Sequence, residues 1–297
     1  NLSSNLALPV AVSSVTGFNN IWGNSAATIL NKGFEVELNS VNINSTRFKW
    51  STSVNVSIPE NKLLAFPGLA VSDLSDVLAL KKSIFGAWAY RFAGINPQNG
   101  LYQFYDDKGN LTQFPNAQTD KTRYIDIGRR WFGGLQNKFT WGNFYLDLLV
   151  VFVKQYGQTA FGFLYRALPP GSLPAALTPE VLKRWRSPGD VTDVQRMQGL
   201  DPLSAGQVLQ AAQRQNDAAN STRAYGDASF ARLRNVALGF NCPHSWLQKS
   251  HIEAVRFYLA AENLITFTHY LTFDPENMAS PALPPLRTIA LGLSVTL

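Results

Sequence analysis

Apolar and polar residues alternate with a period of two along several stretches of the chain, most cleanly in Thr288–Leu297. There Ile289, Leu291, Leu293, Val295 and Leu297 take turns with Thr288, Ala290, Gly292, Ser294 and Thr296. Successive side chains of a strand point to opposite faces, so this strand has one apolar face and one small, polar face. The pattern recurs upstream. Phe34, Val36 and Leu38 oppose Glu35, Glu37 and Asn39, and Phe48, Trp50, Val54, Val56 and Ile58 oppose Lys49, Ser51, Ser53, Asn55 and Ser57. Leu135, Phe139 and Trp141 oppose Gln136, Lys138 and Thr140. In the next stretch Phe144, Leu146, Leu148, Val150 and Phe152 share a face. Its other face carries Tyr145, Asp147 and Gln155 together with Leu149, Val151 and Val153, a mixture that predicts packing against something other than open water. Val236, Leu238 and Phe240 are in phase while Leu233 is not, which predicts a bulge near Arg234. Val255, Phe257 and Leu259 oppose Arg256, Tyr258 and Glu262.

Short polar turns join these strands in pairs at 41–46, 142–143 and 242–250, and long irregular segments separate the pairs. Further strands are expected at Leu2–Pro9, Ile84–Ile95 and Leu101–Tyr105, the last two joined by the Asn96–Gly100 turn. The longest insertion, residues 157–227, holds two expected helices. One opens at Thr178-Pro179-Glu180 and runs to about Trp185, and the other opens at Asp201-Pro202 and runs to about Asp217. Connections that alternate long and short over about ten strands, each near the length that crosses a bilayer, predict an all-β, antiparallel transmembrane β-barrel. Its periplasmic turns are short and its extracellular loops long. The alternatives are a soluble, secreted β-sandwich serving as a binding module, and a barrel with a structural role in a larger envelope complex. With the turns periplasmic, Trp50, Trp141, Phe144, Phe240 and Trp246 fall near one boundary, as an aromatic girdle would.

Composition changes this picture little. Charged residues make up 15% of the chain, below the usual quarter, and aromatic residues 12%, as suits strands with surface in lipid. The net charge of +6 comes without a Lys/Arg run, so a nucleic-acid partner is not expected. Cys242 is the single cysteine, which excludes an intrachain disulfide. Asn1 and Leu2 already read as strand, so a fragment beginning inside a fold is expected.

Several motifs in order along the chain resemble those of SusC/RagA-type TonB-dependent transporters. They are Asn31-Lys32-Gly33-Phe34-Glu35, Ala93-Gly94-Ile95-Asn96-Pro97 with Gly100, and Arg184-Trp185. Residues 228–239, Glu262-Asn263-Leu264 followed by Phe273-Asp274-Pro275-Glu276, and Arg287–Leu293 continue the series. The resemblance implies residues 1–297 to be the C-terminal part of a 22-stranded barrel in the bacterial outer membrane, with 157–227 a long extracellular loop. The plug domain, TonB box and first barrel strands of the family have no counterpart in it. The family imports oligosaccharides or peptides under a SusD-like lipoprotein lid, driven through TonB. The resemblance therefore implies as partners that lipoprotein, TonB through the N-terminal region, the remaining barrel half, membrane lipid with lipopolysaccharide, and a dimer of transporter–lid pairs.

No catalytic, metal or cofactor site is expected. His244, His251 and His269 are scattered, and the His251/Glu253 pair lacks a third ligand. Asp106–Asn110 hints at a calcium loop without its ligand ladder and reads as a tight turn. Arg184, Trp185 and Arg186 are candidate contacts to cargo or lid, with pinning of their own loop the equal alternative. Glu35, Glu37, Lys49, Asp147, Arg256 and Glu262 are candidate lumen-facing residues.

Overall fold

In the computed structural model the described residues are all but 5, 12–14, 16, 18, 19, 73, 160, 162–178, 199–204, 249–251, 271–273 and 279–282. The strands in chain order are β1 (Leu2–Ser3), β2 (Leu6–Ala11), β3 (Asn20–Ser25), β4 (Thr28–Asn44) and β5 (Phe48–Ala65). Then come β6 (Gly86–Ala89), β7 (Arg91–Ile95), β8 (Tyr102–Tyr105), β9 (Leu111–Thr112) and β10 (Arg123–Asp126). The chain continues with β11 (Arg129–Trp141), β12 (Phe144–Gln158), β13 (Tyr225–Asp227), β14 (Phe230–Asn241), β15 (Ala254–Thr268) and β16 (Thr288–Thr296). One antiparallel sheet orders its strands β1-β4-β5-β11-β12-β14-β15-β16, with β13 pairing β12 off that path. Each strand on this path pairs with the next one on it, other strands falling in the connections between, and each long strand from β4 to β16 is about as long as a tilted membrane-crossing strand or longer. This is the wall of an outer-membrane-type barrel. None of the described helices is long and apolar enough to cross a membrane.

The registers place the expected residues on the expected faces. One row reads Phe48, Trp141, Phe144, Phe240, Phe257, Leu293 across six strands, and a parallel row reads Trp50, Phe139, Leu146, Leu238, Leu259, Leu291. Between them runs Lys49, Thr140, Tyr145, Gly239, Tyr258, Gly292 on the opposite face. The apolar face is uncovered: Leu291 is 82% and Ile289 67% exposed. A soluble sandwich would bury these side chains against a second sheet, so that alternative fails. The expected bulge lies where Leu233 and Asn235 pair while Arg234 is skipped. Opposite it, Asn263 adopts a left-handed backbone (φ 54), which asparagine tolerates better than most residues, and its Nδ2 donates to Leu286 O.

Ile84–Ile95 and Leu101–Tyr105 are not barrel strands. Residues 86–89 pair with β10, and β7 pairs with β8 and β9, in small sheets separate from the wall. The reason is a local aromatic core: Tyr90, Tyr102, Phe104 and Phe161 are buried together, with Phe92 and Ile95 packed against them. The stretch after Tyr105, where no strand is expected before Leu135, supplies β9 and β10. With these strands removed from the wall, the wall connections still alternate short and long. The helix expected to open at Asp201-Pro202 is found at Ala205–Ala219, its predicted start lying outside the described residues. The piece expected from Thr178 is a 3-10 turn at Pro179–Lys183, with Thr178 itself outside them.

The chain forms two compact units. Residues 32–60, 129–155 and 227–297 make one, which carries most of the wall; residues 1–31, 61–128 and 156–226 make the other.

Candidate functional site

The polar face of the wall has its own construction. Tyr145 lies over Gly239 and Tyr258 over Gly292, so closely that a Cβ on either glycine would sit 2.1 Å and 2.0 Å from the rings. The absence of a side chain on one strand thus seats the ring of its neighbour. The Arg256 guanidinium stacks 4.5 Å from the Tyr145 ring centre and donates to the Tyr145 hydroxyl. Asp147 accepts both Gln136 Nε2 contacts, at 2.8 and 2.9 Å, and lies 3.8 Å from Lys138 Nζ. Lys49, Asp147, Arg256 and Glu262 share this face through the register. Glu35 lies with them, accepting from Ser57 Oγ at 3.5 Å. Glu37 borders the same concavity as Ser53 and Ser57. All six candidate lumen residues therefore belong to one side of the sheet.

At the end remote from the short turns, the polar face holds a buried ionic latch. Arg232 is 1% exposed and donates to Asp274 at 2.5 Å, Glu276 at 2.7 Å and Thr266 at 3.0 Å. Arg234, the bulge residue, also reaches Glu276, at 3.1 Å. Buried Gln155 donates to Pro275 O at 2.7 Å. The Asp-Pro-Glu tripeptide of the β15–β16 connection is thereby bound to β12 and β14. Burial of Arg232 is tolerable because two carboxylates and a hydroxyl satisfy its donors.

The opposite, apolar face ends at the short turns in packed aromatics. Phe144 and Phe240 stand 4.7 Å apart, Phe240 and Trp246 5.9 Å, and Trp50 and Phe139 5.8 Å. Trp141 is 70% exposed there, so Trp141, Phe144, Phe240 and Trp246, four of the five residues expected as a girdle, lie at the turn end of this face with Trp50 one row further in.

Trp185 is buried, its ring against Gly100 and its Nε1 donating to Pro97 O at 3.1 Å. Gly100 has φ 70, and a Cβ there would meet the indole at 2.4 Å, so only glycine admits both the turn and the ring. Trp185 thus holds the 96–100 turn, while Arg184 bonds Val181 O and the exposed Arg186 bonds Leu182 O. In the same unit Arg223 packs over Phe161, Phe92 and Tyr102 and pairs with Asp193 at 2.7 Å. Burial pushes the hydroxyls of Tyr90 and Tyr124 up to about 12, with Asp217 and Asp126 respectively adding to the effect.

Asp106 accepts from Asn110 N and Nδ2, which makes 106–110 a side-chain-closed turn. His244 opens the short helix His244–Leu247, His251 lies outside the described residues, and no three metal-ligating side chains converge among the described ones.

No family model matches the chain. It is 26% identical to TonB-dependent receptor P3 of Formosa agariphila over 89% of its length and 28% of that receptor. It is 24% identical to TonB-dependent receptor P26 of the same organism, over 99% of the chain and 32% of the relative. Among solved structures, the RagAB peptide transporter superposes with a TM-score of 0.78 at 18% identity, over 99% of the chain and 32% of that protein. The RagAB peptide importer in its open-open state gives 0.76 at 19%, over 100% and 32%. The chain thus spans about a third of the length of the relatives it matches. These relatives are described as TonB-dependent receptors and as a peptide importer or transporter.

Proposed function

From a chain similar to SusC/RagA-type TonB-dependent receptors and sharing their outer-membrane barrel wall, we propose that it lines the conduit of a TonB-coupled importer. The observation that carries this reading is the two-faced sheet. One face offers uncovered Leu, Ile and Phe to hydrocarbon, and the other presents Lys49, Asp147, Arg256, Glu35, Glu37 and Glu262 to a hydrated interior. We assign 157–227 to the long extracellular loop that the resemblance implies. There exposed Arg186, rather than buried Trp185, meets cargo or a SusD-like lipoprotein lid.

Peptides are the first cargo class to test, because the RagAB neighbours are described as peptide importers, and oligosaccharides are the second. Uptake of fluorescent peptides and oligosaccharides by cells carrying the full-length receptor tests the proposal. Import that ceases when TonB is deleted or the proton-motive force is collapsed is the expected result. Uptake indifferent to both, or none of either cargo, would overturn it. A barrel with a purely structural role would give a folded receptor without uptake.

A further inference from the structure

The polar face of the wall is broken at one place. Gly133 and Gly134 stand side by side in β11, where the neighbouring strand β5 comes unusually near. A Cβ on Gly133 would lie 2.0 Å from Asn55 O, and Gly134 N donates to Asn55 Oδ1 at 2.5 Å. Gly134 pairs with Asn55 and Val151, on the same side as Lys49 and Asp147. The interior face therefore has an empty position, and around it opens a concavity of about 440 Å³. A water molecule claims roughly 30 Å³ of liquid, so the space holds one long side chain with several waters.

Its two sides differ in chemistry. Phe132, Leu149 and Val151 form one, and the Ser53 and Ser57 hydroxyls with the Glu37 carboxylate form the other. Leu149 and Val151 are the residues whose apolar character is out of place on a wet wall. Three cations of this part of the sheet are engaged elsewhere: Arg232, the register partner of Val151, with Asp274 and Glu276, Lys32 with Glu60 at 3.0 Å, and Lys138 with Asp147. Glu37 accepts from Asn39 Nδ2 at 2.9 Å, and neither it nor Glu35 has an ion-pair partner among the described residues. An anion is disfavoured there, and a wholly apolar guest would leave Glu37 and the hydroxyls without compensation. A chain of methylenes ending in a cation satisfies both sides, the stem against Leu149 and Val151 and the head against Glu37.

We propose that this concavity is a subsite for a basic side chain, lysine or arginine, presented by a peptide lying in the lumen. It deepens the importer reading and rests on it for the wet interior. The peptide is either imported cargo or a segment of the receptor's own chain, and the two sources are separable.

The experiment uses the full-length receptor, with a photoreactive benzoylphenylalanine replacing Leu149. The probes are an alanine pentapeptide with a central lysine and the same peptide with norleucine. Light-induced label on the lysine probe, about tenfold above that on norleucine, assigns the site to cargo. Label on a Lys- or Arg-bearing stretch of the receptor assigns it to the chain itself. In either case Glu37→Gln lowers the yield about tenfold, and Gly134→Leu, which fills the space, lowers it as far. Heat-modifiable gel mobility identifies folded variants, and the surface change Glu37→Gln keeps the test open if Gly134→Leu does not fold. A folded receptor that labels both probes equally, labels an oligosaccharide instead, or is unaffected by Glu37→Gln overturns the proposal. Loss of uptake by the unmodified receptor would instead count against the importer reading, since labelling does not depend on transport.

Discussion

The two faces of the wall come from the same strands and differ in how their side chains are accommodated. On the apolar face Leu291, Ile289 and Leu293 touch little and remain exposed, so their positions carry a demand for apolarity and almost none for shape. On the polar face each large group has a made place. Tyr145 needs Gly239, Tyr258 needs Gly292, and Arg232 needs Asp274 and Glu276. The lesson is that lipid selects by solvent preference, while the interior selects by partners. Substitutions that exchange these demands separate the two faces.

The largest effect is expected at Arg232. Arg232→Met leaves the carboxylates of Asp274 and Glu276 near an apolar group, at a cost of about 3–5 kcal/mol. Chemical unfolding of the refolded receptor should show it, with protease cutting first in the connection between β15 and β16. Next comes a charge on the apolar face. Leu238→Arg in β14 should cost about 2–4 kcal/mol if the position is near the bilayer midplane, whereas Ala237→Arg, one residue away on the wet face, should cost far less. Equal costs would erase the distinction between the faces. Gly239→Val tests the seating of Tyr145: overpacking should cost about 1–3 kcal/mol, and the added change Tyr145→Ala should recover part of it. Simple additivity of the two would show that the ring and the glycine do not depend on each other.

A smaller effect belongs to the sheets outside the wall. Tyr90 and Tyr124 titrate near 10 when unfolded and at about 12 when folded, so their neutral forms are favoured by folding. Their contribution is fully present below pH 10 and is lost as the pH rises from there through about 12. Limited proteolysis over that window should open residues 86–126 before the wall. Phe substitution at both positions should lessen the pH dependence, the rest coming from Tyr102, whose hydroxyl burial also pushes up.

The wall was legible in the sequence because its determinants repeat every second residue and its strands pair in the order in which they occur along the chain. Phe144 to Phe152 against Leu135 to Trp141 is one hairpin, and its register follows from the Gly142-Asn143 turn. Leu233 betrayed the bulge near Arg234 by falling out of phase with Val236, Leu238 and Phe240. The 84–126 region misled because its strands are as apolar as barrel strands, yet the core that holds them draws on Phe161 and Ala218, far along the chain. Tyr90 N bonds Asn220 O, and Phe92 N bonds Thr222 Oγ1, contacts that no local pattern announces. For the same reason the candidate residues Glu35 to Glu262 could be assigned to a face, while the Arg232 latch escaped notice. Nothing in Ala-Arg-Leu-Arg tells which arginine is buried beneath a connection about forty residues on, although the Asp-Pro-Glu motif was visible by itself.

The central claim is that alternate side chains face acyl tails and their neighbours face water. Single cysteines placed from Thr288 to Thr296 in the full-length receptor, on a Cys242→Ser background and in outer-membrane vesicles, test it with a water-soluble maleimide. Labelling is expected at 288, 290 and 294 and protection at 289, 291, 293 and 295, with 292 kept as the glycine beneath the Tyr258 ring. Labelling that is uniform along β16, or that falls on the leucine positions, would contradict it.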